Sequence, residues 1–283
     1  MFHKLAWWLF AVKVSLCDCY SDRRKNGFGR GERVYQISEA GKLSPLLSEL
    51  SGLARGQRKN TFWAHNDGGN PAELFEIEMS GKIVSKLELP QLKNIDWEDL
   101  AQDSDGNLYV ADLGNNQNQR RDLQLHKFNP EKPQIVETIQ VRYADQKMFP
   151  PLVNQRNFDC EAVAWHGGKL YLFSKNRSKT NHFVKMYSLP AQAGNYALSP
   201  QDSIYSRTMV TAADISPDGR TLALLTYGKV LLFDISAGVN FSKPLRCLKT
   251  GHGQTEAIAF INNQEFVFGN ERKRNLYLVS LSQ

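Results

Sequence analysis

Three glutamates recur at matching places along the chain, and they are the residues best suited to do chemistry. Glu98, Glu161 and Glu256 each stand at the head of a short segment that continues as an apolar strand. Carboxylates that converge in a narrow space repel one another unless a cation lies among them. Ca²⁺ prefers oxygen ligands, so these glutamates are candidate calcium ligands. Alternatively, each glutamate accepts backbone N–H groups of a neighbouring strand and joins two parts of the fold.

A second set of polar residues follows these segments along the chain. In an antiparallel pair, the returning strand ends beside the residue that heads the first strand. Counting through each turn predicts that this position holds Asp67, Asp112, Lys175, Tyr227 and Glu271. Asp67, Asp112 or Glu271 could act as a general base, while Lys175 and Arg272 could bind an anionic substrate.

The elements that must position these residues form an internal repeat. Related segments are headed by Ser51, Glu98, Glu161, Thr211 and Glu256, at intervals of roughly 45 to 63 residues, and turn dipeptides such as Asp105-Gly106 follow them. Short strands in repeats of this length are typical of a β-propeller. We therefore predict an all-β fold, a single propeller of five blades. A sixth blade between residues 132 and 158 is the alternative, although Pro150-Pro151 favours a loop there.

The two ends of the predicted propeller, residues 30–283, are expected to pair. The last blade has only three strands before the chain ends, and an unpaired edge is a liability. The segment 33–37 precedes the first blade and has a strand-like pattern. We predict that it supplies the fourth strand, so that the N-terminal and C-terminal strands close the ring together.

The first 20 residues have a different character. Lys4 precedes an apolar run over residues 5–12, which has the length of a signal peptide and is too short to span a bilayer. Val14 to Cys17 resembles a bacterial lipoprotein box, with Leu16 where a small residue is usual. Residues 1–20 are therefore predicted to be an export or lipoprotein leader, with membrane attachment by a lipid on Cys17. The alternative is an apolar segment packed on the propeller.

Composition narrows the classes of partner. The chain has 283 residues, 41% of them hydrophobic, and a formal net charge of +6. Its basic residues are scattered and accompany no nucleic-acid motif, so they predict a solvated surface and no nucleic-acid partner. The spacing of the four cysteines predicts neither a disulfide framework nor a zinc site. A monomer is expected.

Several of these segments together resemble a known family. They are Trp63 to Gly68, Asp96 to Ala101 with Tyr109 to Asn116, Glu161-Ala162, Ser216 to Gly219 with Thr226-Tyr227, and Glu256 to Ile258. The pattern is similar to a mostly uncharacterised family of bacterial propellers related to the "esterase-like activity of phytase" proteins, and it covers most of residues 45–280. The resemblance implies the propeller fold. Phytase propellers hold calcium in an acidic channel, which would suit the three glutamates.

Two functions remain open at this point. The first is an exported propeller that binds a small-molecule or protein ligand at the polar mouth of its channel, with or without a divalent cation. The alternative is a calcium-dependent hydrolase of an ester, a lactone or a phosphate ester, in which the cation polarises the scissile group. The fold does not choose between them.

Overall fold

Five four-stranded β-sheet units surround a central channel in the computed structural model, which describes residues 18–281. The prediction of a five-bladed β-propeller is confirmed. In the range 132–158, where a sixth blade was the alternative, Val136–Tyr143 is the outer strand of the blade 2 repeat. The rest of the chain up to blade 3 is a connection with one 3₁₀ turn (Val153–Gln155). Residues 1–17, which contain the predicted lipoprotein cysteine Cys17, lie outside the described residues.

The blades follow one another along the chain, and each begins with its innermost strand. Blade 1 contains β3 (Leu50–Arg55), β4 (Thr61–Asn66), β5 (Glu73–Glu78) and β6 (Ile83–Glu88). Blade 2 contains β7 (Trp97–Gln102), β8 (Leu108–Asp112), β9 (Gln124–Phe128) and β10 (Val136–Tyr143). Blade 3 contains β11 (Cys160–His166), β12 (Lys169–Ser174), β13 (Phe183–Pro190) and β15 (Asp202–Tyr205).

Blade 4 contains β16 (Val210–Ile215), β17 (Thr221–Thr226), β18 (Lys229–Asp234) and β19 (Pro244–Lys249). Blade 5 contains β20 (Thr255–Phe260), β21 (Phe266–Asn270), β22 (Asn275–Leu281) and β2 (Tyr35–Lys42). Strand β2 pairs antiparallel with β22, so the first and last parts of the propeller share one sheet. This confirms the predicted closure by N-terminal and C-terminal strands.

Two blades carry a fifth strand that the repeat does not predict. Strand β14 (Gly194–Leu198) leaves blade 3 and pairs in parallel with β10 of blade 2. Strand β1 (Gly29–Arg30) pairs in parallel with β19 of blade 4. Both cover outer edges that would otherwise expose unpaired backbone groups.

The segment before β1 packs on blade 4. Helix α1 (Tyr20–Asn26) is the one α-helix within residues 18–281, and no helix in this range is long and apolar enough to cross a membrane. Its Asp22 is buried and accepts a hydrogen bond from the Lys229 ammonium at 2.5 Å. Residues 18–29, which precede the predicted start of the propeller, are thus part of its packed structure.

A disulfide joins Cys19 to Cys247 at the same place, with 5.8 Å between their Cα atoms. The expectation that the cysteines form no disulfide was wrong. The two residues are 228 positions apart, so no local spacing signals the pair. Only the packing of the N-terminal segment on blade 4 brings them within bonding distance. Cys160 is a free, buried thiol.

Small residues occupy the position that follows the head of the repeat in four of the five blades. The second position of each repeat is Gly52, Ala162, Ala212 or Ala257 in four blades and Asp99 in blade 2. A Cβ atom on Gly52 would lie 2.9 Å from the backbone nitrogen of Leu100 in the next blade. The inner strands of blades 1 and 2 therefore approach so closely at Gly52 that a side chain there would collide with its neighbour.

Candidate functional site

A β-bulge interrupts the inner strand of every blade at the same place. The pairing of the first two strands shifts by one residue between positions 50 and 52, 97 and 99, 160 and 162, 210 and 212, and 255 and 257. The extra residues are Ser51, Glu98, Glu161, Thr211 and Glu256, which are the residues that head the five repeats. A bulge re-aims the side chain of its extra residue and is common beside active sites. Here the bulges turn the three glutamates toward one end of the channel.

This end holds a cavity of about 210 Å³, which we call the mouth cavity. Its lining is nearly all polar: Ser51, Asp67, Glu98, Asn116, Glu161, Lys175, Arg177, Tyr227, Gln254, Glu256 and Glu271, with Leu50. The prediction that Glu98, Glu161, Glu256 and Glu271 cluster at one face of the channel is confirmed. Asp67 and Lys175 join them.

Asp112 does not reach the mouth cavity, which corrects its predicted placement beside the glutamates. Its partner across the strand pair is Trp97, the residue before the bulge, so Leu113 takes the position that Asp67 and Lys175 occupy in their blades. The count through the blade 2 turn was one residue short. Asp112 is buried and pairs with the Arg120 guanidinium at 2.9 Å.

Glu161 is already paired with cations. The Lys175 ammonium and the Arg177 guanidinium both donate to its carboxylate, the latter at 2.9 Å, and Arg177 also donates to Asp159. Burial is the largest effect and raises the pKa of Glu161 to about 8, although the charges of Lys175 and Arg177 lower it. Burial alone would lower the pKa of Lys175, but the negative charge of Glu161 raises it well above its ordinary value. These residues form a buried charge network on the blade 3 side of the mouth cavity.

Glu256 belongs to a second network on the blade 5 side. The Tyr227 hydroxyl donates to its carboxylate at 2.9 Å, and the Tyr227 ring lies 5.0 Å from the Lys175 ammonium. The Gln254 amide donates to Glu271. Burial and the charge of Glu256 raise the pKa of Glu271 to about 7. Glu271 therefore changes its charge near neutral pH.

Glu98 differs from the other two glutamates because no described residue donates to its carboxylate, although the charge of Lys175 lowers its pKa. Its side chain is 5% exposed, and its carboxylate receives no hydrogen bond or ion pair from any residue in the range 18–281. Burial, followed by the charges of Glu161, Asp67 and Asp159, raises its pKa well above the ordinary value. An ionised carboxylate left in this state is costly. Glu98 is thus the group at the mouth cavity that most needs a cationic or hydrogen-donating partner.

Two groups of carboxylates meet at Glu98. In one, oxygens of Asp67, Asp96 and Glu98 all lie within 4.8 Å of one another, and in the other the same holds for Glu98, Asp159 and Glu161. Burial and the charge of Asp67 raise the pKa of Asp96 to about 6. Among residues 18–281, no side chain forms an ion pair with the first group, whereas Arg177 and Lys175 form ion pairs within the second.

The alternative role for the three glutamates was to link neighbouring blades by accepting backbone N–H groups. Other carboxylates perform that role. Asp99 is fully buried and accepts the backbone N–H groups of Val163 at 2.8 Å and Ala213 at 3.1 Å, in blades 3 and 4. Asp214 accepts the N–H of Phe260 in blade 5 at 2.7 Å. Within residues 18–281, the three glutamate side chains accept no backbone N–H from a neighbouring blade.

Sequence reasoning missed Asp96, Asp159, Arg177 and Gln254. A signal for three of them was present, because Asp96, Asp159 and Gln254 each stand two residues before the head of a repeat. Asp96 stands directly before β7, and its carboxylate comes within 4.8 Å of that of Glu98.

Comparison with known proteins supports the fold. No family model matches the sequence, and the comparison with curated proteins found no match. The PQQ-bound aldose sugar dehydrogenase from Streptomyces coelicolor has a similar structure, with a TM-score of 0.53, 9% identity, and coverage of 88% of this chain and 98% of that chain. A chain of a mitotic checkpoint complex aligns with a TM-score of 0.42 and 11% identity, over 82% of this chain and 61% of that chain. The first likeness is one of fold alone.

Proposed function

We propose that this propeller binds a small polar ligand at the mouth cavity, with a divalent cation held by Asp67, Asp96 and Glu98. The observation that carries the proposal is the buried Glu98 carboxylate, which forms no hydrogen bond or ion pair with a described residue and lies within 4.8 Å of two other carboxylates. A divalent cation would offset their repulsion, and Ca²⁺ suits a set of carboxylate oxygens completed by water.

This proposal changes the ligand set expected from the sequence. Glu161 and Glu256 are engaged by Lys175, Arg177 and Tyr227, so their oxygens are less available to a cation. Lys175 and Arg177 instead offer donors to an anionic part of the ligand that lies near the cation. A polar molecule with carboxylate, phosphate or hydroxyl groups fits such a lining, which offers little apolar surface.

The test is a calcium titration followed by thermal unfolding. A ligand that binds only the folded state stabilises it by about 2.7 kcal/mol at a hundredfold excess over its dissociation constant. We expect the melting temperature of the wild type to rise with the logarithm of calcium concentration, and Glu98→Gln to abolish that rise. The matched control is Glu131→Gln, which removes an exposed carboxylate far from the mouth cavity. A wild-type melt that is independent of calcium, magnesium and manganese would exclude the cation.

Hydrolysis is the second candidate, and Glu271 favours it. Its pKa of about 7 suits a general base at neutral pH, and it lines the same cavity as Glu98. A cation at Asp96 and Glu98 would polarise an ester or phosphate ester while Glu271 activates water. Turnover of such esters that depends on calcium and falls in Glu271→Gln would support it. Calcium binding without turnover on a panel of esters, lactones and phosphate esters would leave a binding protein.

Export from the cytoplasm is part of the proposal, and the Cys19–Cys247 disulfide supports it. Structural disulfides persist in oxidising compartments and are rare where thiols are kept reduced. Lipid attachment at Cys17, which is two residues before the disulfide, remains a prediction. The 9% identity to the Streptomyces enzyme limits that likeness to the fold, so its cofactor and its sugar substrate form no part of this proposal.

A further inference from the structure

A second site lies on the outer flank of blade 2, away from the mouth cavity. Two adjoining cavities of about 360 and 300 Å³ share Arg121, Leu123, Val141 and Arg142 in their walls. Both exceed the mouth cavity in volume. They form one groove, which we call the flank groove, with Tyr196 at one end and Lys147 at the other.

The extra strand of blade 2 creates this groove. Val141 pairs with Tyr196 of β14, and its backbone N–H bonds to the Leu123 carbonyl just before β9 begins. The first cavity is lined by Gln124 of β9, Val141 of β10 and Tyr196 of β14, so it extends across three adjacent paired strands of blade 2.

The basic side chains of the groove are arranged to bind anions. The Arg121 guanidinium lies 3.8 Å from the centroid of the Phe149 ring. Stacking on an aromatic ring fixes the plane of a guanidinium and leaves its N–H groups available at the edge. Arg142 forms no side-chain hydrogen bond or ion pair with another residue in the range 18–281. Both can therefore grip a carboxylate or phosphate with two parallel hydrogen bonds.

One carboxylate opposes this charge, and it is already occupied. Asp122 lines the first cavity, but its oxygen accepts the Arg120 Nε–H at 3.1 Å. Arg120 also neutralises the buried Asp112. Arg121, Arg142 and Lys147 thus retain their positive charge along the groove. The groove is concave and elongated, with Arg121 and Arg142 at its middle and Lys147 at one end. It can therefore contact several anionic groups of one molecule, which a scattered basic surface cannot do.

We infer that the flank groove binds an elongated ligand with two or more anionic groups, carboxylates or phosphates, gripped by Arg121 and Arg142. The inference is independent of the cation at the mouth cavity. The chain has a formal net charge of +6 although its channel mouth is acidic, and the flank groove contains part of the excess positive charge.

The experiment is isothermal titration of the full chain with two probes at about 150 mM NaCl, where exposed charges are screened over roughly 8 Å. Inorganic tripolyphosphate represents a phosphate ligand, and a trimer of galacturonic acid represents a carboxylate ligand. We expect at least one probe to bind with one-to-one stoichiometry. Arg121→Gln and Arg142→Gln should each weaken that binding about tenfold, which corresponds to the loss of about 1.4 kcal/mol.

Two comparisons decide whether binding is specific. Arg220→Gln combined with Lys132→Gln removes two exposed positive charges elsewhere and should leave binding unchanged. Binding that persists undiminished in both Arg121→Gln and Arg142→Gln would place the probe outside the flank groove and overturn the inference. Equal loss in the Arg220/Lys132 variant would reveal nonspecific attraction and overturn the inference. Failure of both probes to bind would overturn it too.

Discussion

The substitution Glu98→Gln should stabilise the metal-free protein, although it alters a buried residue at a candidate site. Gln has nearly the same shape as Glu but carries no charge. It would remove a carboxylate that is 5% exposed and forms no hydrogen bond or ion pair within residues 18–281. The charges of Glu161, Asp67 and Asp159 repel this carboxylate, and the more weakly acting charge of Lys175 attracts it. Leaving a buried polar group unsatisfied costs about 1–3 kcal/mol, and more when it is charged.

The pH dependence follows from the raised pKa of Glu98. The folded protein holds the proton more tightly than the unfolded chain, so ionisation costs stability only as pH rises above the unfolded value near 4.3. The penalty is absent below that pH and complete above the pKa of the folded state. The variant should therefore match the wild type near pH 4 and exceed its free energy of unfolding by about 2 kcal/mol at alkaline pH.

The assay is thermal unfolding in excess chelator across this pH range. One kcal/mol shifts the melting temperature of a domain of 150–250 residues by about 2–4 °C, so a gain of several degrees is expected at alkaline pH. Glu131→Gln should show no such pH-dependent gain. In saturating calcium the order should reverse, because the variant loses a ligand. If Glu98→Gln destabilises the chelated protein equally at pH 4 and at alkaline pH, the carboxylate is not an unpaired charge and the reasoning fails.

Two further predictions concern the framework around the site. Reduction of the Cys19–Cys247 disulfide, or the double substitution Cys19→Ala with Cys247→Ala, should lower the free energy of unfolding in urea by about 2–4 kcal/mol. The stability of the double variant should not change when reductant is added. If reductant leaves the stability of the wild type unchanged as well, the disulfide has no structural role. Asp99→Ala should lower the free energy of unfolding by about 3 kcal/mol, because it leaves the backbone N–H groups of Val163 and Ala213 without their acceptor. Ser51→Ala removes one hydrogen bond to the Glu98 carbonyl and should lower it by about 1 kcal/mol. Equal effects of the two substitutions would argue against Asp99 as the principal link between blades.

The repeat and the turn dipeptides were sufficient to predict five blades and the closure of the ring. Strand alternation and turn residues act locally, so a single sequence displays them. The convergence of Glu98, Glu161 and Glu256 could be predicted for the same reason, because equivalent positions in a propeller must face the same end of the channel. The strands β1 and β14 could not, since each pairs with a blade other than its own neighbour in sequence.

The sequence by itself determined the repeat. The repeat in turn determined the fold and the end of the channel at which the polar residues lie. The tertiary structure decided which carboxylates have partners. Glu161 lies beside Lys175 and Arg177, Glu256 lies beside Tyr227, and Glu98 has Asp96 and Asp67 for neighbours. A bulge of one residue in each inner strand sets these contacts, and a shift of one residue placed Leu113 where Asp112 was expected. Charge pairing depends on distances of a few ångströms between blades, and residues from different repeats reach those distances only when the ring is closed.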